Sequence, residues 1–239
     1  MALVLLSLIF VSQNRKEISM ALRSSIARKF AMALSGLFLV FFLAQHFIIN
    51  LTSVIAPDLF NQWSHFMGTN GLVQFALQPV LIFGVVFHFV MGFVLELKNR
   101  RARPVRYASH KGSANSSWAS RNMIISGLVV LAFLGLHFYD FWVPEIVYKY
   151  IEDNPEDLTR YYPETVHKFE SPMRTGLYVL AFLLLAVHLW HGFASAFQSL
   201  GAKTKLLAAL NGFTKAFAVL IPLGFVFIAL YHHLNQLPH

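Results

Sequence analysis

The sequence predicts an all-α integral membrane protein built as a five-helix bundle. Three observations predict it. The chain is 56% hydrophobic and only 13% charged over 239 residues, where a soluble domain is about a quarter charged. Five stretches, roughly 30–55, 71–97, 122–147, 172–200 and 211–234, each exceed the about 20 apolar residues that cross a bilayer. The basic residues fall in alternate connections between those stretches. This composition excludes a disordered chain and a nucleic-acid-binding domain, and the net charge of +8 reads as basic flanks of membrane spans. The chain has no Cys, which excludes disulfides, zinc–thiolate sites and iron–sulfur clusters ligated by this chain.

Residues 1–29 form an N-terminal cytoplasmic or interfacial segment, and 30–239 form one membrane domain. The first 11 residues, MALVLLSLIFV, are too short to span, and no basic region precedes them as in a secretory signal. Met20 opens a basic leader, MALRSSIARK, and is an alternative start. Residues 15–29 carry five Lys/Arg, 98–121 carry seven and 203–215 carry three. Segment 51–70 carries none, and 140–174 carries four against eight Asp/Glu. Positively charged loops stay in the cytoplasm. The N-terminus and the second and fourth connections are therefore expected inside, and the C-terminus outside. The acidic, Pro-punctuated loop 148–171 is long enough for a short surface helix. Trp63, Trp118 and Trp142 read as interfacial anchors, as do His232 and His233 beside Tyr231; Trp190 is the exception, inside span 4 and expected near the site its histidines form. Span 5 is expected at the periphery of a bundle of spans 1 to 4.

Ionisable residues inside spans are costly and usually functional. Here they are imidazoles: His46 in span 1, His88 in span 2, His137 in span 3, and His188 and His191 in span 4. One such His has an ordinary reading as an interhelical hydrogen bond. Four spans each supplying one, with few carboxylates beside them, suit metal ligation better than a proton path. Depth sorts them at about 1.5 Å per residue. His46 lies 17 residues past Lys29 and His137 lies 16 past Arg121, both in the outer half. His88 lies 10 before Lys98, and His188 and His191 lie 15 and 12 before Lys203, in the inner half. The result is an outer pair, His46 with His137, and an inner pair, His88 with His188 or His191. Two facing histidines at one depth are what a six-coordinate haem requires, so the bundle is expected to bind two haems. There is no C-x-x-C-H, so the haems would be of b type.

His88 and Gly92, and His188 and Gly192, share the spacing H-x-x-x-G. A residue at i+4 lies on the same helix face, and Gly there leaves room for a flat macrocycle. The plain alternative is that Gly aids helix packing in membranes. Gly at i+4 favours His188, whereas depth favours His191. The loop residue His65, in FNQWSHFMG, is either solvated or in reach of a quinone head-group; His110 and His167 read as loop residues.

At SGLFLVFFLAQHFIINL (35–51), HFVMGFVLELKNRRARPVRY (88–107) and HLWHGFASAFQSLG (188–201) the chain resembles a known family. This is the di-haem cytochrome b membrane-anchor subunit of succinate dehydrogenase/fumarate reductase. The resemblance runs from about Lys29 to the C-terminus. It implies that His46 and His137 ligate the distal haem and that His88 and His188 ligate the proximal one, with His188 preferred over His191. It implies a flavoprotein and an iron–sulfur subunit as partners, a bacterial cytoplasmic membrane, and electron transfer to a quinone, typically menaquinone. Some di-haem members carry a proton-transferring Glu two residues before the span-4 ligand; here that position is Ala186, so that route is not expected. Ser35, Lys168, Arg174 and His191 are candidates for propionate or nearby polar contacts. Gln45, Asn50 and His65 are candidates for quinone. Two other readings compete: the cytochrome b subunit of a hydrogenase or formate dehydrogenase, and a non-redox bundle with hydrogen-bonded histidines.

Overall fold

The computed structural model describes residues 24–101, 123–152, 157–202 and 204–236. Five helices are long and apolar enough to cross a membrane: Ser25–Ile55, Val73–Arg101, Met123–Tyr150, Pro172–Ser199 and Ala208–Leu234, here spans 1 to 5. Each coincides with a predicted stretch to within a few residues. No strand occurs among the described residues. The segment before residue 24 and most of the basic connection, with His110 and Trp118, lie outside the described residues.

The distribution of polarity is that of a protein solvated by hydrocarbon. Phe41, Phe75, Phe83 and Leu220 point outward and are exposed, while Thr52, Ser53, Ser126, Asp140, Thr175, Thr214 and His232 are buried. A continuous exposed apolar surface of this kind needs lipid to cover it, and buried polar groups need partners inside. Local signals set the span ends. Asn70 Oδ1 accepts from the backbone N–H of Leu72 and Val73 and starts span 2. Ser171 caps span 4 ahead of Pro172, its Oγ accepting from Arg174 N, the preferred order at a helix start. Spans 2 and 3 each contain one π-helical turn, Val73–Leu77 and Phe138–Trp142; the second follows His137 directly.

Two linking helices cap one end of the bundle. The expected surface helix in the acidic loop is Tyr161–Lys168. The other, Pro57–Thr69, occupies a segment read from sequence as a loop. Pro57 in its first turn and Asp58 beside it are the start signals. Tyr162 N–H donates to Asn61 Oδ1 at 2.8 Å and ties the two helices together. A polar cluster locks them to span 3. Glu145 pairs with both Lys149 and Arg160, Lys149 also donates to Gly68 O, and the Arg160 guanidinium lies over the Tyr148 and Tyr161 rings.

Three expectations change. Span 5 is not peripheral. Phe225, Ile228 and Ala229 are buried in one cluster with Phe169, Tyr178 and Phe182, and Gly224 lies where any side chain would overlap the Phe47 ring. Hydropathy measures whether a helix can span, not which neighbours it meets. His232 is 2% exposed and bonds Ser53 Oγ at 2.8 Å, so it ties span 5 to span 1 rather than anchoring at an interface; His233 Nδ1 meets Phe169 O at 2.7 Å. Trp190 faces outward, 45% exposed, with Lys215 Nζ 5.5 Å from its ring centroid.

Candidate functional site

Spans 1 and 3 bring His46 and His137 together, ring centroids 5.8 Å apart and planes nearly perpendicular at 85°. Each ring is held from its own helix by a Phe one turn earlier. Phe42 stacks on His46 at 5.4 Å, and Phe133 on His137 at 5.8 Å. Phe225 of span 5 closes a third side of His46 at 5.9 Å. Asn50, one turn further on, donates to His46 O at 2.8 Å and lies 3.4 Å from its Nε2. His137 Nδ1 is buried without a hydrogen-bond partner.

Spans 2 and 4 carry the second set. His88 and His188 are both half-buried. Ser35 Oγ lies 3.0 Å from His88 Nδ1, and Ser126 Oγ lies 3.2 Å from His188 Nδ1. Each imidazole is thus clamped by the preceding span. His46 lies 9 residues from the capped end of span 1, His137 lies 13 from that of span 3, and His88 and His188 lie 15 and 16 from those of spans 2 and 4. At 1.5 Å per residue these depths are about 14 Å, about 20 Å and about 22–24 Å. His46 and His137 meet through their rings, while the count along the helices leaves His137 nearer in depth to His88 and His188 than to His46.

The chemistry of such pairs is limited. Among the described residues no group of three or more His, Asp or Glu converges on one point, so the donor sets are of two imidazoles. Metal–imidazole bonds are about 2 Å. Two in line place ring centroids about 6 Å apart, close to the 5.8 Å between His46 and His137. The donor chemistry and that spacing suit His46 and His137 as two imidazoles that would hold an iron between them.

Other predicted residues take these places. Gln45 Nε2 reaches Met67 Sδ at 3.8 Å, and so contacts the Pro57–Thr69 helix. His65 stands on that helix, not on a solvated loop; its Nδ1 is buried and unpartnered, and Tyr161 meets its ring at 6.3 Å. Lys168 ends the Tyr161–Lys168 helix at the same capped end. A methyl group at Gly92 would lie 3.6 Å from Met32 Cε, and one at Gly192 the same distance from Met123 Cε; these glycines look towards methionines of the preceding spans. The glycines that crowd the imidazoles are Gly36 and Gly127, where a methyl would lie 3.2 Å and 3.5 Å from Cε1 of His88 and His188.

Sequence reasoning missed one buried acid. Asp140 is 1% exposed, three residues beyond His137 in the π-helical turn. Its Oδ2 accepts from Tyr178 Oη–H at 2.9 Å and lies 3.4 Å from Arg174 Nε, while Oδ1 is unpartnered. The H-x-x-D spacing was the available signal. At the cap, burial and then the Glu145 charge push the Tyr161 phenol pKa up. Burial works against the Arg160 charge, but Glu145 and Glu164 outweigh it and raise its pKa.

Comparison with known proteins found no matching family model, no matching curated protein and no matching solved structure.

Proposed function

We propose that this chain is the membrane-anchor cytochrome b subunit of a succinate:quinone oxidoreductase, passing electrons between an iron–sulfur partner and a quinone. One observation carries the reading: four spans each supply a half-buried imidazole, and the His46 and His137 rings meet 5.8 Å apart across the bundle. The sequence resemblance supplies the partner class.

In this reading His46 and His137 hold one b haem, and His88 and His188 hold the other. When bound, such haems supply reversible one-electron chemistry with no open iron position. The chain's own residues orient and insulate them. Phe42, Phe133 and Phe225 pack the first pair of rings, and Ser35 and Ser126 hold the second pair. In this reading, supported by the alternation of basic loops, the capped end lies outside and the Lys98–Arg101 end in the cytoplasm; the bacterial membrane is what the resemblance implies. The second pair then faces the flavoprotein and iron–sulfur subunits, and the first faces a menaquinone site at the capped end. Gln45, Asn50 and His65 are the polar side chains offered to the quinone carbonyls there, and Lys168 and Arg174 are cationic partners for propionates. Quinone reduction consumes protons as well as electrons, and these residues lie at the end where outside water is nearest.

The test is purification of the intact complex with its partners. Two b haems per chain and succinate-to-menaquinone activity support the proposal. A nickel or molybdenum partner enzyme, or a haem-free complex, overturns it.

A further inference from the structure

Spans 1 and 3 share a pattern beyond their histidines. Met32-x-x-Ser35-Gly36-Leu37 precedes His46 with the same spacing at which Met123-x-x-Ser126-Gly127-Leu128 precedes His137. Phe42-Leu43 and Phe133-Leu134 also match, one turn before each His. Spans 2 and 4 share H-x-x-x-G at His88 and His188. The contacts repeat with the residues. Ser35 meets His88 Nδ1 at 3.0 Å, and Ser126 meets His188 Nδ1 at 3.2 Å. Gly36 faces His88 Cε1 as Gly127 faces His188 Cε1, and Gly92 faces Met32 as Gly192 faces Met123. Each hairpin is also closed by a linking helix, Pro57–Thr69 in the first and Tyr161–Lys168 in the second.

We propose that spans 1–2 and spans 3–4 are two copies of one helical-hairpin unit, and that in each copy the Ser is a positioning residue setting the tautomer of the His on the following span. The hydroxyl protons decide the tautomer. Ser35 Oγ–H donates to Met32 O at 2.9 Å, and Ser126 Oγ–H donates to Met123 O at 2.9 Å. A hydroxyl has one proton. With that proton directed to the carbonyl, each Oγ accepts from the imidazole, which puts the hydrogen on Nδ1 of His88 and of His188 and leaves Nε2 its lone pair. The bond the far nitrogen makes determines which nitrogen is left for a metal. The same contact, used twice, turns two Nε2 atoms from opposite hairpins into ligands of one kind. Gly36 and Gly127 permit it, because each is where the imidazole rests against the preceding helix. His191 has no such serine.

The inference rests on the haem reading above, and its test separates the two. Ser35→Ala and Ser126→Ala are made singly in the intact complex, and each haem is followed by redox titration and by its low-spin electron paramagnetic resonance signal. Losing the acceptor removes electron donation through Nδ1–H. Both variants should therefore raise the midpoint potential of the same haem, that of His88 and His188, weaken its retention by about tenfold or more, and leave the other haem unmoved. Ser35→Thr keeps the accepting hydroxyl and should keep the wild-type potential. Isotope-labelled histidine NMR of the reduced wild-type complex needs no variant and should find Nδ1 of both residues protonated. If the wild-type complex holds two haems but neither alanine variant shifts a potential, or the two variants shift different haems, or either Nδ1 is unprotonated, the inference falls and the functional reading stands. A haem-free wild type overturns both.

Discussion

His46 and His137 are the residues on which quinone chemistry depends in this account. Their rings meet at 5.8 Å near the capped end, and no third side chain replaces either as a ligand among the described residues. His46→Ala or His137→Ala should each remove one of the two haems, read by a pyridine haemochrome assay. Quinone-linked turnover should fall by about tenfold or more, while succinate oxidation with a soluble acceptor survives because that chemistry belongs to the partners. The choice within span 4 is testable in the same way. His188 has Ser126 at 3.2 Å and Gly127 against its ring, whereas His191 has neither. Three residues on a helix mean about 300° of rotation and about 4.5 Å of rise, so one of them alone can meet His88 across the bundle. His188→Ala should abolish the low-spin signal of the second haem, and His191→Ala should keep it. The opposite result would reassign the ligand. Sequence spacing placed these histidines on four spans and suggested their pairing. It could not show Ser35 and Ser126, because their contacts require the rotational register between two helices, which hydropathy does not encode. Asp140 escaped because it counts with the acidic outer connection 140–174, and its burial against Tyr178 is a tertiary fact.

Among the elements, the polar cap is the part most exposed to pH and mutation. Glu145 is the single carboxylate facing both Lys149 and Arg160, whose side chains are each 7% exposed. Removing one partner of a buried ion pair leaves an uncompensated charge and costs about 3–5 kcal/mol. Glu145→Gln should therefore lower the thermal midpoint of the complex in detergent or nanodiscs and expose the Pro57–Thr69 helix to protease. An unchanged midpoint would show that the cluster contributes little. The pH dependence follows from Tyr161, whose pKa burial and then Glu145 push up. A group with a raised folded pKa stabilises below its unfolded value and loses that contribution as pH rises. The cap should hold its full Tyr161 contribution below about pH 10, the unperturbed tyrosine value, and weaken above it. Hydrogen exchange in the two linking helices across that range checks the sign; cap loosening on the acid side alone would contradict it. The spans themselves were legible because about 20 apolar residues leave a bilayer-crossing chain little other choice. The Pro57–Thr69 helix was not, because it is short and mixed in polarity, and its docking onto the Tyr161–Lys168 helix is a tertiary fact.

At the scale of the whole molecule, spans 1 to 4 carry the four histidines and span 5 packs against them. Span 5 supplies Phe225 to His46 and His232 to Ser53, so it belongs to the site that the first pair defines. Its place was hidden in the sequence, since an apolar helix reads alike whether it meets lipid or protein. The alternation of basic loops needs no packing information and was legible throughout. The central claim is that four spans hold two haems, and the most direct measurement is the number of haems per chain. The intact complex, purified without added haem, is reduced, and its b-type α-band absorbance is converted to a stoichiometry by pyridine haemochrome. The account predicts two haems for each copy of this chain, both low-spin and with separable midpoint potentials. One haem, or none, in fully assembled complex would contradict it.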